Sequence, residues 1–183
     1  ILSKITILEI KSNFCPLKKL KIILLILVGT AALIIFSFMA FKQWSYEKMT
    51  QTILSNTVEQ IEVSSADIQN YRLLDARSIE EYGVSKIQGA ERIDPDTKEF
   101  EPEILNSEKP ILVYCSVGLR SERIGERLKK INPALKVYNL KGGIFQWVND
   151  EKPLLNQKGD LSDSIHTYNT SWSIWVSKGK KVN

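Results

Sequence analysis

The chain has little of what builds metal sites and disulfide frameworks. Its 183 residues include one histidine and two cysteines, Cys15 and Cys115, which lie far apart in the sequence. Zinc sites draw on several cysteine and histidine ligands, so we expect no metal here. The sequence also lacks internal repeats and low-complexity tracts, which excludes repeat architectures and argues for an ordinary globular domain.

Charge of one sign is in excess only near the N-terminus. The formal net charge is +4, from 25 basic and 21 acidic residues. The first 41 residues contain Glu9 and five lysines: Lys4, Lys11, Lys18, Lys19 and Lys21. Removing these leaves 20 basic and 20 acidic residues, so the rest of the chain lacks the basic excess of a nucleic-acid-binding domain. We therefore expect no nucleic-acid partner.

One long apolar run stands out at residues 22–41, where 20 residues carry no charge. A helix of this length spans about 30 Å, the thickness of the hydrocarbon core of a bilayer. A buried core helix is one alternative, although core helices usually keep a polar face. A cleaved signal peptide is another, although its apolar region usually has about 7–15 residues and a small-residue site follows it. We expect an uncleaved transmembrane anchor.

Lysines predict the orientation of this anchor. Five lie before the apolar run, whereas Lys42 and Lys48 follow it with Glu47 between them. The positive-inside rule places the N-terminus in the cytoplasm and the rest of the chain outside it, which is the periplasm in a bacterium. Cys15 and Cys115 then lie on opposite sides of the membrane and do not pair.

The sequence divides into five predicted regions. They are a basic cytoplasmic segment at 1–21, the transmembrane anchor at 22–41, a juxtamembrane helical stalk at 42–60, an α/β domain at 61–153 and a C-terminal tail at 154–183. The tail contains two tryptophans and a tyrosine in "SIHTYNTSWSIWV", so we expect it to pack against other residues.

Strand and helix patterns alternate in the central region. The segment "ILVYC" is a buried strand, and "SIEEYG" is a short helix capped by Ser78. "SERIGERLKKI" is an amphipathic helix with Ile124, Leu128 and Ile131 on its inner face. This alternation predicts a parallel sheet flanked by helices on both faces, whose ligands gather beyond the carboxyl ends of the strands. Cys115 stands at such an end.

Four roles are open to Cys115: a buried core thiol, half of a disulfide, a metal ligand or a nucleophile. The stretch "CSVGLRS" favours the last. Gly118 permits a tight loop of backbone N–H groups, Arg120 adds a fixed positive charge, and Ser121 is placed to cap the helix that follows. A helix N-terminus and inward N–H groups both stabilise a thiolate. The pattern therefore predicts an anion-binding loop around a sulfur atom.

The segment "YCSVGLRS" resembles the active-site loop of single-domain rhodaneses. The stretch from "GGIFQWV" to "IHTYNTSW" resembles the membrane-anchored bacterial subgroup of that family. Three further motifs occur in the order of that family: "LLDAR", "EEY" followed by "IQGAERI", and "NLKGGIFQW". The sequence departs from the family pattern at Ala76, Ser85, Lys86 and Gln88, all outside the loop. The resemblance covers about half of the chain and implies the rhodanese-like fold.

The resemblance also implies a sulfurtransferase chemistry. Cys115 would take a sulfane sulfur from a small donor such as thiosulfate, as a covalent persulfide and without another cofactor. It would then pass the sulfur to cyanide or a thiol. Arg120 would supply charge, and the remaining loop residues would bind the substrate: Ser116, Val117, Gly118, Leu119 and Ser121.

Two further groups of residues are expected to contribute. Asp75 and Arg77 would support the site, or else form a structural salt bridge with a turn cap. His166, Tyr168 and Trp172 in the tail would contact the domain or the mouth of the active site, although a lone tail histidine such as His166 is often simply solvated.

Other functions remain open from the sequence. The domain could be a non-catalytic docking or sulfur-binding module for a membrane partner, although no motif identifies a protein partner. A redox sensor would use the thiol without needing Arg120. Related phosphatases have five residues between cysteine and arginine, whereas four separate Cys115 from Arg120.

Overall fold

The computed structural model describes residues 16–183, with side chains from residue 18 onward. Cys15 and most of the basic segment predicted at 1–21 lie outside the described residues. The chain divides into two units, Ile1–Trp44 and Ser45–Asn183.

One described helix, α1 (Pro16–Ile53), is long and apolar enough to cross a membrane. Its apolar residues are exposed, including Leu25 and Phe36. A core helix would bury such side chains, so their exposure disfavours that alternative.

The second unit is built on a five-stranded parallel sheet. Its strands in chain order are β1 (Glu59–Ile61), β2 (Arg72–Asp75), β3 (Glu91–Arg92), β4 (Ile111–Tyr114) and β5 (Val137–Leu140). Their spatial order is β1-β5-β4-β2-β3, and every pair is parallel. This confirms the predicted α/β fold with a central parallel sheet.

Four helices connect these strands or follow them: α2 (Ile79–Val84), α3 (Pro102–Leu105), α4 (Leu119–Ile131) and α5 (Gly143–Asn149). Ser78 caps α2 with a full capping box, in which its hydroxyl accepts from the Glu81 N–H. Ile131, which was expected on the inner face of α4, is 49% exposed because it is the last residue of that helix. A 3₁₀ turn at Ile68–Asn70 precedes β2.

The core has two layers, one on each face of the sheet. The central strand β4 contributes side chains to both layers, because successive side chains of a strand point to opposite faces of the sheet. Leu112 and Tyr114 enter one cluster, and Ile111 and Val113 enter the other. A strand buried on both faces explains why "ILVY" is apolar without interruption.

Residues 42–60 differ from the expected stalk. From Ser45 onward they belong to the second unit, and four of them are buried: Tyr46, Thr50, Leu54 and Val58. The first three recur every four residues and therefore share one face of the helix. That face packs against the domain instead of standing free in solvent.

The tail is ordered around short elements: β6 (Leu154–Leu155), β7 (Leu161–Ser162), β8 (Ser164–His166), α6 (Thr170–Ser173) and β9 (Lys180–Val182). Strands β6 and β7 pair antiparallel, and β8 pairs parallel with β9. Ile165 and Val176 are fully buried in the core. The tail therefore completes one face of the domain.

Candidate functional site

Cys115 lies where the central strand ends and the longest helix of the domain begins. Strand β4 ends at Tyr114, and α4 starts at Leu119. Gly118 between them has φ of 114° and ψ of −17°, a left-handed conformation that side chains rarely adopt. This turn brings the Gly118 N–H to 3.1 Å from Cys115 Sγ. The tight loop predicted around the sulfur is present.

The side chain of Cys115 is buried. Cys115 is 1% exposed, and the Ser121 hydroxyl lies 3.5 Å from its Sγ. Ser121 does not cap α4 as expected, because Gly118 holds the cap position and Ser121 falls within the first turn. Its hydroxyl also lies 2.8 Å from Asn139 Oδ1 and 2.9 Å from the Gly118 carbonyl. With one proton for three acceptors, Ser121 can donate to the sulfur only by giving up another partner.

Arg120 forms a bidentate pair with Glu81. Its two terminal nitrogens lie 2.6 and 2.8 Å from the carboxylate oxygens, and Nη2 also donates to Ser116 Oγ at 2.8 Å. Ser116 Oγ donates in turn to Glu81 at 2.7 Å. The loop is therefore closed by a charge-assisted network that fixes the guanidinium beside the cysteine.

Glu81 remains ionised in this position. Burial alone would raise its pKa, but the hydrogen bond and charge of Arg120 outweigh burial and lower the pKa to about 2. Glu81 was not among the site residues predicted from the sequence. The available signal was the "EEY" motif, in which a second acidic residue follows the capping serine at the capping-box position.

The carbonyl groups of the loop are held by α5. The N–H of Ile144 donates to Cys115 O at 2.8 Å, and that of Phe145 donates to Ser116 O at 3.1 Å. A Cβ at Gly143 would lie 2.4 Å from Cys115 O, so only glycine fits where these backbones meet. Gly143 in "KGGIF" thus lets the start of α5 approach the backbone of Cys115.

The other two predicted loop residues are Val117 and Leu119. Val117 is buried in the core cluster on one face of the sheet. Leu119 is half-buried at the start of α4. Their roles in binding substrate stay predictions.

Asp75 and Arg77 form a buried ion pair. Arg77 Nη2 lies 2.6 Å from Asp75 Oδ2 and 2.6 Å from the Ser85 carbonyl, and both side chains are fully buried. Asp75 also accepts from the Arg77 backbone N–H at 3.1 Å. These contacts join the end of β2 to the end of α2, as a salt bridge with a turn cap would.

The tail reaches the site through Tyr168. The Arg120 guanidinium carbon lies 5.8 Å from the centre of the Tyr168 ring, within the range of a cation–π contact. Tyr168 has φ of 67°, and its N–H donates to His166 Nδ1 at 3.0 Å. Trp172 packs against the core beside it. Tyr168 and Trp172 thus contact the domain, as expected, and His166 accepts a hydrogen bond within the tail instead of being simply solvated.

A cavity lies elsewhere on the domain, away from Cys115. It has a volume of about 660 Å³ and lies between α5 and the tail, lined by Glu151, Lys152, Asp163 and Lys178 among others. None of the predicted site residues lines it.

Comparison with known proteins agrees with the geometry. Residues 59–150 match the family model of the rhodanese-like domain. A curated relative, the uncharacterized protein YqhL of Bacillus subtilis, is 30% identical over 116 residues, covering 63% of this chain and 89% of that protein.

Solved structures of similar fold include a rhodanese-related protein from Thermoplasma volcanium. It has 25% identity and a TM-score of 0.48, covering 53% of this chain and 97% of that one. A thiosulfate sulfurtransferase from Pseudomonas aeruginosa has 17% identity and a TM-score of 0.44, covering 63% of this chain and 23% of that one. With its matched domain, its parallel sheet and its cysteine loop, the chain belongs to the rhodanese-like domain family.

Proposed function

We propose that this protein is a sulfurtransferase in which Cys115 carries the transferred sulfur. The observation that carries the proposal is the loop itself. The sulfur sits at a strand end, accepts the Gly118 N–H at 3.1 Å and stands beside an arginine fixed by Glu81. Such a setting stabilises negative charge on a sulfur before, during and after transfer.

The first half-reaction loads the cysteine. The Cys115 thiolate attacks the outer sulfur of thiosulfate, a new S–S bond forms, and the S–S bond of thiosulfate breaks. Sulfite leaves with the electron pair of that bond. Arg120 offsets the anionic charge of the donor, and the backbone N–H groups from Ser116 to Arg120 surround the outer sulfur.

The second half-reaction unloads it. Cyanide or a thiolate attacks the outer sulfur of the persulfide and bonds to it, while Cys115 leaves as a thiolate. The product is thiocyanate or a new persulfide, and the enzyme returns to its starting state. No oxidant or reductant is consumed, because the sulfane sulfur keeps its oxidation level.

The proposed location is the outer face of a membrane. In this proposal residues 22–41 span the bilayer, the N-terminus is cytoplasmic and the rhodanese-like domain is extracytoplasmic. A cysteine introduced at exposed Leu161, in a chain lacking Cys15 and Cys115, provides the test. Labelling by a membrane-impermeant reagent on intact spheroplasts supports this orientation, and labelling only after lysis contradicts it.

The activity is tested on the full chain, purified in detergent, reduced and incubated with thiosulfate. Intact-mass spectrometry is expected to show one added sulfur atom, which cyanide removes as thiocyanate. Cys115→Ser abolishes both events, whereas Cys15→Ser is the matched control and retains them. An adduct that persists in Cys115→Ser, or none in the wild type with any persulfide donor, would refute the proposal.

A further inference from the structure

The segment that enters the domain, residues 45–57, precedes the family match yet contacts the residues that hold the catalytic loop. Its first contact is Tyr46. This side chain is 3% exposed, and its hydroxyl donates to the Gly142 carbonyl at 2.6 Å. Its ring lies 5.6 Å from that of Trp175 in the tail. The phenol is thus held in one orientation by packing and aims its proton at a single carbonyl.

The carbonyl that Tyr46 holds belongs to the turn that seats Cys115. Gly142 and Gly143 are both left-handed, with φ of 69° and 58°, and α5 begins directly after Gly142. The first N–H groups of α5 then donate to the carbonyls of Cys115 and Ser116. The turn at Gly142 therefore connects Tyr46 to the backbone of Cys115, the proposed nucleophile.

The second contact comes from Ser55 and Thr57, which follow the end of α1. Buried Glu122 accepts hydrogen bonds from the Thr57 N–H at 2.9 Å and from the Ser55 hydroxyl at 3.0 Å. Its other oxygen accepts from Asn139 Nδ2 at 3.2 Å, and the same nitrogen donates to Gly118 O at 3.0 Å. A continuous set of hydrogen bonds thus joins the entering segment to the loop glycine.

Leu54 supplies an apolar contact between these two. Its Cδ1 lies 3.4 Å from the point where a Cβ on Gly118 would sit. Leu54 is buried, so it covers the glycine whose N–H faces the sulfur. All three contacts come from residues outside the matched family domain.

We infer that residues 45–57 belong to the catalytic apparatus, with Tyr46 as a positioning residue that holds the Gly142 turn and through it Cys115. The inference rests on the proposed sulfur transfer. Loss of the Tyr46 hydroxyl frees the turn to shift, and small displacements of reacting atoms cost large factors in rate. A purely structural role would change stability and leave the rate of folded molecules alone.

The test compares Tyr46→Phe with Tyr138→Phe in the full chain in detergent. Both changes remove one hydroxyl, but Tyr138 is half-buried on β5 and packs edge-on against Tyr71. Tyr46→Phe is expected to lower kcat for thiosulfate and cyanide about five- to tenfold, the size of one hydrogen bond. KM for thiosulfate stays within about twofold, since Arg120 is untouched.

A kcat that equals the wild type in Tyr46→Phe, whatever its melting temperature, would overturn the inference. So would an equal fall in Tyr138→Phe. The rate of Cys115 alkylation by iodoacetamide gives a readout without turnover. If the wild type forms no persulfide, the proposed function is refuted, but the positioning role of Tyr46 is still open to test. An alkylation rate changed by Tyr46→Phe and not by Tyr138→Phe then still supports the positioning role, and an unchanged rate refutes it.

Discussion

Two arginine–carboxylate pairs flank the carboxyl end of the sheet, and they differ in what surrounds them. Arg77 and Asp75 are both fully buried, whereas Arg120 is 24% exposed above a fully buried Glu81. Arg77 Nη1 has no hydrogen-bond partner among the described residues, while its guanidinium carbon lies 5.7 Å from the Tyr114 ring. Both terminal nitrogens of Arg120 are paired. The first pair faces only protein, and the second has one side toward solvent.

This difference fits a structural role for the inner pair, Arg77 with Asp75, and the proposed chemical role for the outer pair, Arg120 with Glu81. The inner pair ties two elements together through Asp75 and the Ser85 carbonyl. The outer pair fixes a guanidinium whose remaining surface is free to meet an anion. A buried carboxylate that loses its partner is costly, but Glu81 keeps hydrogen bonds from Ser116 and the Ser78 N–H when Arg120 is lost. The same mutation should therefore cost more stability at the inner pair and more activity at the outer pair.

The largest expected effect comes from Arg77→Met. It leaves Asp75 buried without its partner, so we expect the free energy of unfolding to fall by about 3–5 kcal/mol. The double variant Asp75→Leu with Arg77→Met should recover much of this loss, because both charges are gone. Urea unfolding of the full chain in detergent measures both.

Arg120→Met is the matched change at the outer pair. It should cost less stability, because Ser116 and the Ser78 N–H still donate to Glu81. The rate of sulfur transfer should fall about a hundredfold, since a fixed charge beside the developing anion is lost. Equal rates per folded molecule in Arg77→Met and Arg120→Met would remove the distinction between the pairs.

A smaller effect is expected from acid. The folded pKa of Glu81 is about 2, below its ordinary 4.5, so its stabilisation is complete above about pH 4.5 and is lost as pH falls toward 2. The amount is about 2 kcal/mol once screening at the partly exposed Arg120 is allowed for. Urea unfolding of the wild type at pH 5 and pH 3 should show about half of this loss, because pH 3 still lies above the folded pKa of Glu81.

Glu81→Gln should abolish most of that difference, because the variant has no proton to bind at this position. The control is Glu103→Gln, which alters an exposed carboxylate on α3. An acid-induced loss that is equally large in Glu81→Gln would mean that another carboxylate is responsible.

The sequence predicted the local parts of this architecture well. The uninterrupted run at β4 and the helical period of α4 are short-range signals, and the glycine between them is the signature of a tight turn. These features alone placed Cys115 at a strand end before a helix. The four motifs in order then identified the family, and the structure and the family match confirm it.

The residues that sequence reasoning missed act over long separations. Glu81 lies 39 positions from Arg120, and Tyr46 lies 96 positions from Gly142. Neither pairing leaves a periodic trace, because the contact depends on how whole elements pack. The buried face of residues 45–58 was missed for the same reason. The sequence of this segment predicts a mostly polar helix, and its buried face becomes evident only from the domain that packs against it.

The smallest expected effect tests what the exposed side of the outer pair meets. Tyr168→Asn removes the ring above Arg120, while asparagine tolerates the left-handed backbone at this position. A cation–π contact at an exposed site contributes about 0.5–1 kcal/mol, so freeing the guanidinium should raise KM for thiosulfate about two- to fivefold. Tyr168→Phe keeps the ring and should behave as the wild type. Leu161→Asn changes another exposed tail residue as a control. If Tyr168→Phe and Tyr168→Asn act alike, the ring does not orient Arg120, and the tail contributes only its packing to the site.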